Sequence, residues 1–192
     1  MWLDPIPFSL RADAVAALAS GDVVGFLITA SNEDSMHLVY MNASFLKQRG
    51  LYERALLQAF MATRVNNHTW PQEDLVDLFL EADQLQLRAL GDPLPGSGPF
   101  TVYRGVAGRG RARRVRGLSW TGSIERATWF AERFRGILHD PAVYTAIVPE
   151  ASVLTYLNEG EFGRSEQEFI LLPSPSINPQ RLQSEVENAR PN

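Results

Sequence analysis

The stretch SEQEFILLP, residues 165–173, places two carboxylates two positions apart at the start of an apolar run. In an extended strand, residues i and i+2 point to the same face, so Glu166 and Glu168 are predicted to stand side by side. The apolar residues that follow are typical of a strand covered on both faces, where an ionised carboxylate costs free energy unless a partner compensates it. The spacing fits a functional pair and solvated acids at a strand end equally well.

The composition limits the class of protein. The chain has 192 residues, of which 45% are hydrophobic and 21% charged, so it can form one sizeable core and lacks the composition of a disordered chain. It contains no cysteine, which excludes disulfides, thiol nucleophiles and thiolate metal sites. The chain starts without a signal-peptide pattern, and no stretch approaches the ~20 apolar residues that span a bilayer. We expect a soluble, cytosolic protein.

The charges are unevenly distributed. The net charge of −4 gives no global attraction for nucleic acid or membranes, but six arginines fall within RGVAGRGRARRVR, residues 104–116. The guanidinium is planar and permanently charged and suits phosphate and carboxylate groups, so this loop is a candidate anion-binding element. The alternative is a solvated loop rich in glycine.

Residues 1–95 have a mainly helical pattern. Ser9 is predicted to cap a helix that Gly21 ends, and the segments 41–65 and 71–90 carry apolar residues at helical spacing. The segment VVGFLI fits a buried strand or a helix, since its length is too short for periodicity to decide.

Residues 100–172 have the pattern of short strands. They follow a linker, GDPLPGSGP, and surround one predicted helix, SIERATWFAERF, in which Trp129 and Phe130 are expected to be core residues. The proline-containing tail, residues 173–192, is expected to lie extended on the surface. The pattern predicts an α+β fold with helices from the first half.

Several side chains of the strand-rich part suit a common site. Arg104 shares a strand face with two valines, which is unusual for a cation without an anionic partner, and Gly105 would let a ligand approach the backbone. Ser119 and Thr121 present two hydroxyls on one strand face, and Ser123 is predicted to cap the following helix. Each feature alone is common, but their order, with the glutamate pair last, is informative.

The order of these motifs resembles the R-S-E (arginine-serine-glutamate) class of ADP-ribosyltransferases, which includes many bacterial toxins and phage enzymes. The matching motifs are Tyr103-Arg104-Gly105, Ser119-Trp120-Thr121 and Glu166-Gln167-Glu168. The resemblance covers roughly residues 101–172, and it departs from the family where Trp120 and Thr121 replace two hydroxyl positions of the serine motif. It implies a split antiparallel β-sheet that binds NAD in a cleft, and we expect a single domain over residues 1–172.

The resemblance implies a role for each motif residue. Glu168 would stabilise the cationic ribose formed when nicotinamide leaves NAD, and Ser119 would hold Glu168 in position. Arg104 would bind a phosphate of NAD, and the backbone at Gly105 would bind the nicotinamide amide. Thr121 belongs to the same NAD-binding set, and no metal is implied.

The identity of the acceptor, the group that receives ADP-ribose, is less well determined than that of the donor. The resemblance makes Glu166 the residue that orients or deprotonates the acceptor, with Phe162 at the exposed centre of a recognition loop, and favours a protein arginine. A nucleic-acid acceptor is the runner-up, bound by an arginine-rich loop whose members include Arg109, Arg111, Arg113 and Arg114. Two further functions fit the same motifs: hydrolysis of NAD without an acceptor, and a non-catalytic module that binds NAD or ADP-ribose.

The resemblance also bears on partners and location. It implies a bacterial or phage effector or toxin that acts in the cytoplasm, its own or that of a target cell, together with an antitoxin or immunity protein. No membrane partner is predicted. The histidines, His37, His68 and His139, lack the spacing of metal ligands, so no metal site is predicted.

Overall fold

The computed structural model describes residues 1–62, 70–110, 113–133 and 135–182. The chain divides into two compact units, Met1–Leu90 and Gly91–Asn192. The described part of the first unit is helical, and the described strands all lie in the second. The α+β class predicted from the sequence is confirmed.

The first unit contains seven helices among its described residues. They are α1 (Arg11–Ser20), α2 (Val23–Leu27), α3 (Ser35–Met41), α4 (Ala43–Gln48), α5 (Tyr52–Ala62), α6 (Gln72–Leu80) and α7 (Gln84–Leu90). Gly21 ends α1 in a left-handed conformation, with φ of 80°, as predicted. Ser9 does not cap α1, because it lies within a preceding 3-10 turn. The first five residues of VVGFLI form α2, and Asp22 caps it by accepting the N–H of Gly25 at 2.8 Å.

Both long helical segments are interrupted. The first breaks between α4 and α5 at Gly50, whose φ of 65° stops a right-handed helix; its residues 63–65 lie outside the described residues. The second breaks at Asp83, whose carboxylate accepts the N–H groups of Leu85 and Gln86 at 2.8 and 3.1 Å and so starts α7. Helical spacing is kept across both breaks, which is why the sequence pattern predicts one helix in each segment.

The second unit is built on an antiparallel sheet. Its described strands are β1 (Phe100–Val106), β2 (Ser119–Thr121), β3 (Ala142–Val148), β4 (Val153–Leu157), β5 (Glu168–Leu171) and β6 (Gln180–Arg181), and its helix is α8 (Ile124–Glu132). The strand order is β4-β5-β2-β1-β3-β6. One face carries an apolar cluster that includes Val102, Trp120 and Phe169.

Helix α8 packs on β1, β2 and β3 through small side chains. Ala127 and Ala131 are buried, whereas Trp129 is 51% exposed and Phe130 is half-buried. The prediction that the two aromatic residues belong to the core is therefore wrong. Alanine faces the sheet because the helix backbone lies too close to β1 for larger side chains.

The segment after Pro173 adds an exposed edge to the sheet. Ile177 is buried, and β6 pairs with β3 through Gln180 and Arg181. The rest of the predicted tail, residues 183–192, lies outside the described residues. Among the residues that the structure describes, no helix has the length and apolar character needed to cross a membrane.

Candidate functional site

The pairing of β2 with β5 brings the serine and glutamate motifs together. Thr121 is opposite Glu168, and Ser119 is opposite Ile170. From this register the Ser119 hydroxyl donates a hydrogen bond of 2.5 Å to Oε1 of Glu168. Glu168 is only 7% exposed, so a buried carboxylate is fixed in one orientation by a neighbouring strand.

The burial of Glu168 has an electrostatic consequence. Burial raises the pKa of Glu168 to about 7, because the charged form loses its hydration. The hydrogen bond from Ser119 opposes this rise in pKa, as do the charges of Arg164 and Arg104, while the Glu166 charge adds to it. Both protonation states are therefore accessible near neutral pH, which is a property of many catalytic carboxylates.

Arg104 extends from the apolar-cluster side of β1 and binds the backbone that leads into β2. Its Nε donates to the carbonyl of Arg114 at 3.0 Å, and its Nη1 donates to the carbonyl of Ser119. Burial lowers the pKa of Arg104 to about 10, and the Glu168 charge opposes that shift. Within the part of the chain that the structure describes, these contacts use two of the five N–H groups of the guanidinium.

Gly117 is a site residue that sequence reasoning missed. A methyl group at this position would lie 2.3 Å from Nη2 and 2.5 Å from Cζ of Arg104. The absence of a side chain thus makes room for the guanidinium beside Ser119. The sequence signal, a glycine between an arginine-rich loop and a strand, is also typical of an ordinary turn.

Gly105 has a different role from the one its sequence context suggests. A methyl group there would lie 1.8 Å from the carbonyl oxygen of Ala127 and 2.7 Å from the nitrogen of Ala131. Glycine is therefore required for the close approach of α8 to β1. The sequence-based prediction is that Gly105 leaves space for a ligand. On the side where a side chain would stand, that prediction is wrong, because α8 fills the space.

The two glutamates do not share a strand face. Strand β5 begins at Glu168, and the flanking residues Ser165 and Gln167 have φ values of 54° and 48°. These left-handed conformations turn the chain on both sides of Glu166, which is half-buried, so the predicted extended strand through both glutamates is wrong, although the Glu166 charge still acts on Glu168. Non-glycine residues in this region store conformational strain, and such strain concentrates at functional sites.

Thr121 supports the turn that carries Glu166. Its hydroxyl donates to the main-chain oxygen of Glu166 at 2.5 Å and accepts the N–H of Ser123 at 3.1 Å. Thr121 is buried, and its hydroxyl is used within the protein rather than facing a ligand. The structure thus places the Thr121 hydroxyl against the main chain of Glu166, whereas the resemblance places Thr121 among NAD-binding residues.

The loop before the glutamate pair is compact. Ser165 donates its N–H to the carbonyl of Asn158 at 2.7 Å, and Gly163 donates to Gly160 at 2.9 Å. Phe162 is 5% exposed, so the prediction that it forms an exposed recognition residue is wrong. A short loop closed by its own hydrogen bonds turns an apolar side chain inward, because burial is favourable.

The arginine-rich loop is held to the rest of the second unit. Arg113 binds the carbonyl of Gly108 at 2.9 Å and the carboxylate of Asp140 at 2.7 Å. Arg116 donates to the carbonyls of Ser174 and Ile177, both at 3.0 Å. The main chain of Arg114 accepts the Arg104 hydrogen bond, Arg109 is exposed over 82% of its side chain, and Arg111 lies outside the described residues.

The histidines are not part of a metal-ligand group in the described chain. His37 contacts the ring of Trp2 at 4.8 Å between centroids, His139 is exposed, and His68 lies outside the described residues. Within residues 1–62, 70–110, 113–133 and 135–182, no three His, Asp or Glu side chains gather as metal ligands would.

Comparison of the chain with protein-family models, curated proteins and solved structures gave no match. The chemistry of the site is therefore the guide to function. The site combines the buried Glu168 carboxylate, which the Ser119 hydroxyl orients, with Arg104, which binds the carbonyl of Ser119. A second carboxylate, that of Glu166, lies on a strained turn. These groups can stabilise a developing positive charge, bind an anion and accept a proton from a nucleophile.

Proposed function

We propose that the protein is an NAD-dependent mono-ADP-ribosyltransferase, acting as a bacterial or phage effector or toxin on a protein arginine. The observation that carries the proposal is the hydrogen bond of 2.5 Å between Ser119 and the buried Glu168, which joins the serine and glutamate motifs across β2 and β5. The sheet with α8 would be the NAD-binding core of the R-S-E class.

In the donor half of the reaction, the cleavage of NAD, Glu168 stabilises the cationic sugar. The bond between the nicotinamide nitrogen and C1′ of the ribose breaks with its electron pair leaving on nicotinamide, and the sugar becomes cationic. A fixed, poorly hydrated carboxylate stabilises that charge more strongly than water does. Ser119 holds the carboxylate, and the remaining N–H groups of Arg104 would bind a phosphate of NAD.

In the acceptor half of the reaction, the attack of the arginine, Glu166 takes a proton. A guanidinium nitrogen of the acceptor forms the new bond to C1′ and gives up a proton, which Glu166 takes. A carboxylate also pairs well with a guanidinium through two parallel hydrogen bonds. Since Glu166 stands on its own turn and Glu168 in a strand, the two reactants can be bound by different parts of the chain.

A nucleic-acid acceptor has one supporting observation, the exposed Arg109. The contacts of Arg113 and Arg116 with carbonyls and with Asp140 favour a structural role for much of this loop. A continuous phosphate-binding surface would need those guanidinium groups to face solvent. We therefore favour the protein acceptor.

The experiment that tests the proposal measures nicotinamide release and the fate of labelled NAD. We expect release of nicotinamide, and transfer of label from adenylate-labelled NAD to a lysate component that protease removes and nuclease does not. An arginine peptide should be labelled and its lysine counterpart should not. A protein that binds NAD without releasing nicotinamide would be the non-catalytic module, and label on RNA or DNA would replace the proposed acceptor.

The exposed arginine gives a separate prediction about the acceptor. We expect Arg109→Gln to leave protein labelling within about twofold of wild type and its salt dependence unchanged, because no row of phosphates is bound. If the acceptor were nucleic acid, the log–log salt slope would change by roughly 0.7–0.9 for the lost contact. Arg135→Gln is the matched control, because Arg135 is also exposed, at 72%, and lies in the same unit.

A further inference from the structure

Asp92, in the linker before β1, binds the loop that leads to the glutamate pair. Its Oδ2 accepts the N–H groups of Asn158, Glu159 and Gly160 at 2.6, 3.2 and 3.2 Å. Its own N–H donates to the carbonyl of Tyr156 at 2.7 Å. Successive N–H groups that converge on one oxygen form a concave anion site, and here the anion is a side chain of the same protein.

Asn158 extends this contact to both sides of Glu166. Its carbonyl accepts the N–H of Ser165 at 2.7 Å, and its side-chain oxygen accepts the N–H of Gln167 at 3.3 Å. Ser165 and Gln167 are the two residues with positive φ that flank Glu166. One residue, fixed by Asp92, therefore binds both ends of the strained turn.

Two glycines show how closely the loop lies against these residues. A methyl group at Gly160 would be 2.8 Å from Oδ1 of Asp92, and one at Gly163 would be 2.3 Å from the carbonyl oxygen of Asn158. At Gly163 the close atoms are backbone, so the loop can close on Asn158 only without a side chain there, whereas at Gly160 they belong to the carboxylate of Asp92. These contacts make the loop a rigid support for Glu166.

We propose that Asp92 is a positioning residue for the acceptor half of the reaction, acting through Asn158 to set the place of Glu166. The inference rests on the proposed transferase function. Glu168 is held by contacts that do not involve Asp92, the pairing of β5 with β2 and the hydrogen bond from the Ser119 hydroxyl. Loss of the Asp92 contacts should therefore displace Glu166 while leaving Glu168 in place.

The test compares donor and acceptor activities in Asp92→Ala and Asp92→Asn. We expect Asp92→Ala to release nicotinamide in water within about threefold of wild type, with unchanged KM for NAD, and to lose about 10- to 100-fold in kcat/KM for the arginine peptide. Asp92→Asn retains an oxygen acceptor and should recover most of the transfer. Glu132→Gln, which removes a half-exposed charge paired with Arg135, is the control for net charge.

A structural measurement accompanies the kinetics. Hydrogen exchange at the amides of Asn158, Glu159 and Gly160 should accelerate in Asp92→Ala and stay slow in the control. If Asp92→Ala unfolds, Asn158→Ala serves instead, because it removes the contact to Gln167 and keeps the backbone contacts to Asp92; the same separation of activities is expected.

The outcomes separate the two proposals. Equal loss of hydrolysis and transfer in a folded Asp92 variant would show that Asp92 supports both activities. That result would overturn the positioning role of Asp92 and leave the transferase function standing. Normal transfer by Asp92→Ala despite accelerated exchange would overturn it as well. A wild-type protein that releases no nicotinamide would refute the transferase function itself, and with it the catalytic meaning of Asp92.

Discussion

Replacing Glu168 with glutamine is expected to lower both nicotinamide release and transfer by about 10²–10³-fold, because the cationic sugar loses its fixed negative charge. The substitution keeps the shape of the side chain and an oxygen that can accept the Ser119 hydroxyl. Binding of NAD should change much less than turnover, since the charge acts in the transition state. Ser119→Ala, which frees the carboxylate without removing it, should lose less activity.

The Glu168→Gln protein should also be more stable than the wild type above neutral pH. A carboxyl whose pKa is raised on folding binds more protons in the folded state, so its charged form opposes folding. Wild-type stability should thus decline as the pH rises from the unfolded pKa of about 4.3 towards about 7, and remain lower above that value. Glu168→Gln should lack this decline and gain roughly 3–4 kcal/mol in free energy of unfolding at about pH 8.

Denaturant unfolding at acid and alkaline pH, together with the pH profile of nicotinamide release, checks this prediction. Wild-type release should rise through about pH 7 as Glu168 ionises. Glu132→Gln, the control, removes a carboxylate that is 40% exposed and should follow the wild type in both measurements. A folded Glu168→Gln protein with near-wild-type turnover would refute the mechanism.

The sequence predicts the strands that carry Ser119 and Glu168. Alternating hydroxyls in a short strand and an acid at the head of an apolar run indicate two strands, and the order of the motifs places them in one site. The resemblance implies their contact, and the register of β2 with β5 accounts for it. Side chains that act from regular strands are thus accessible to sequence reasoning, because the period of a strand fixes their direction.

The turn around Glu166 could not be predicted in this way. Nothing in the residue types of Ser165 and Gln167 indicates positive φ, which non-glycine residues adopt when surrounding contacts impose it. Those contacts come from Thr121, Gly122 and Asn158, which no local pattern connects to the turn. The local pattern predicts extended geometry, and tertiary hydrogen bonds override it.

Glycines are similarly ambiguous in the sequence alone. Gly105 and Gly117 both flank arginine-containing motifs, yet one admits a helix backbone and the other admits the Arg104 guanidinium. A sequence shows that space is needed at such positions but not which group fills it. The same holds for Asp92, whose partners lie 66 to 68 residues away along the chain.

The geometry of the turn makes a sharp prediction for Glu166→Gln. Thr121 binds the main-chain oxygen of Glu166, so the substitution should leave the turn intact. We expect nicotinamide release in water to stay within about threefold of wild type, and transfer to an arginine peptide to fall about 10²-fold, the usual contribution of a positioned base. An acceptor more nucleophilic than guanidinium should lose less, because it needs less help in giving up its proton.

A second consequence identifies the charge of Glu166 as the cause. That charge raises the pKa of Glu168, so its removal should shift the rise of nicotinamide release in Glu166→Gln to lower pH. Damage to the loop would not by itself be expected to shift the pH profile of nicotinamide release while preserving hydrolysis. If a folded Glu166→Gln protein instead lost hydrolysis and transfer in equal proportion, the two carboxylates would act as one unit. The division of donor and acceptor roles between β5 and the turn before it would then be wrong.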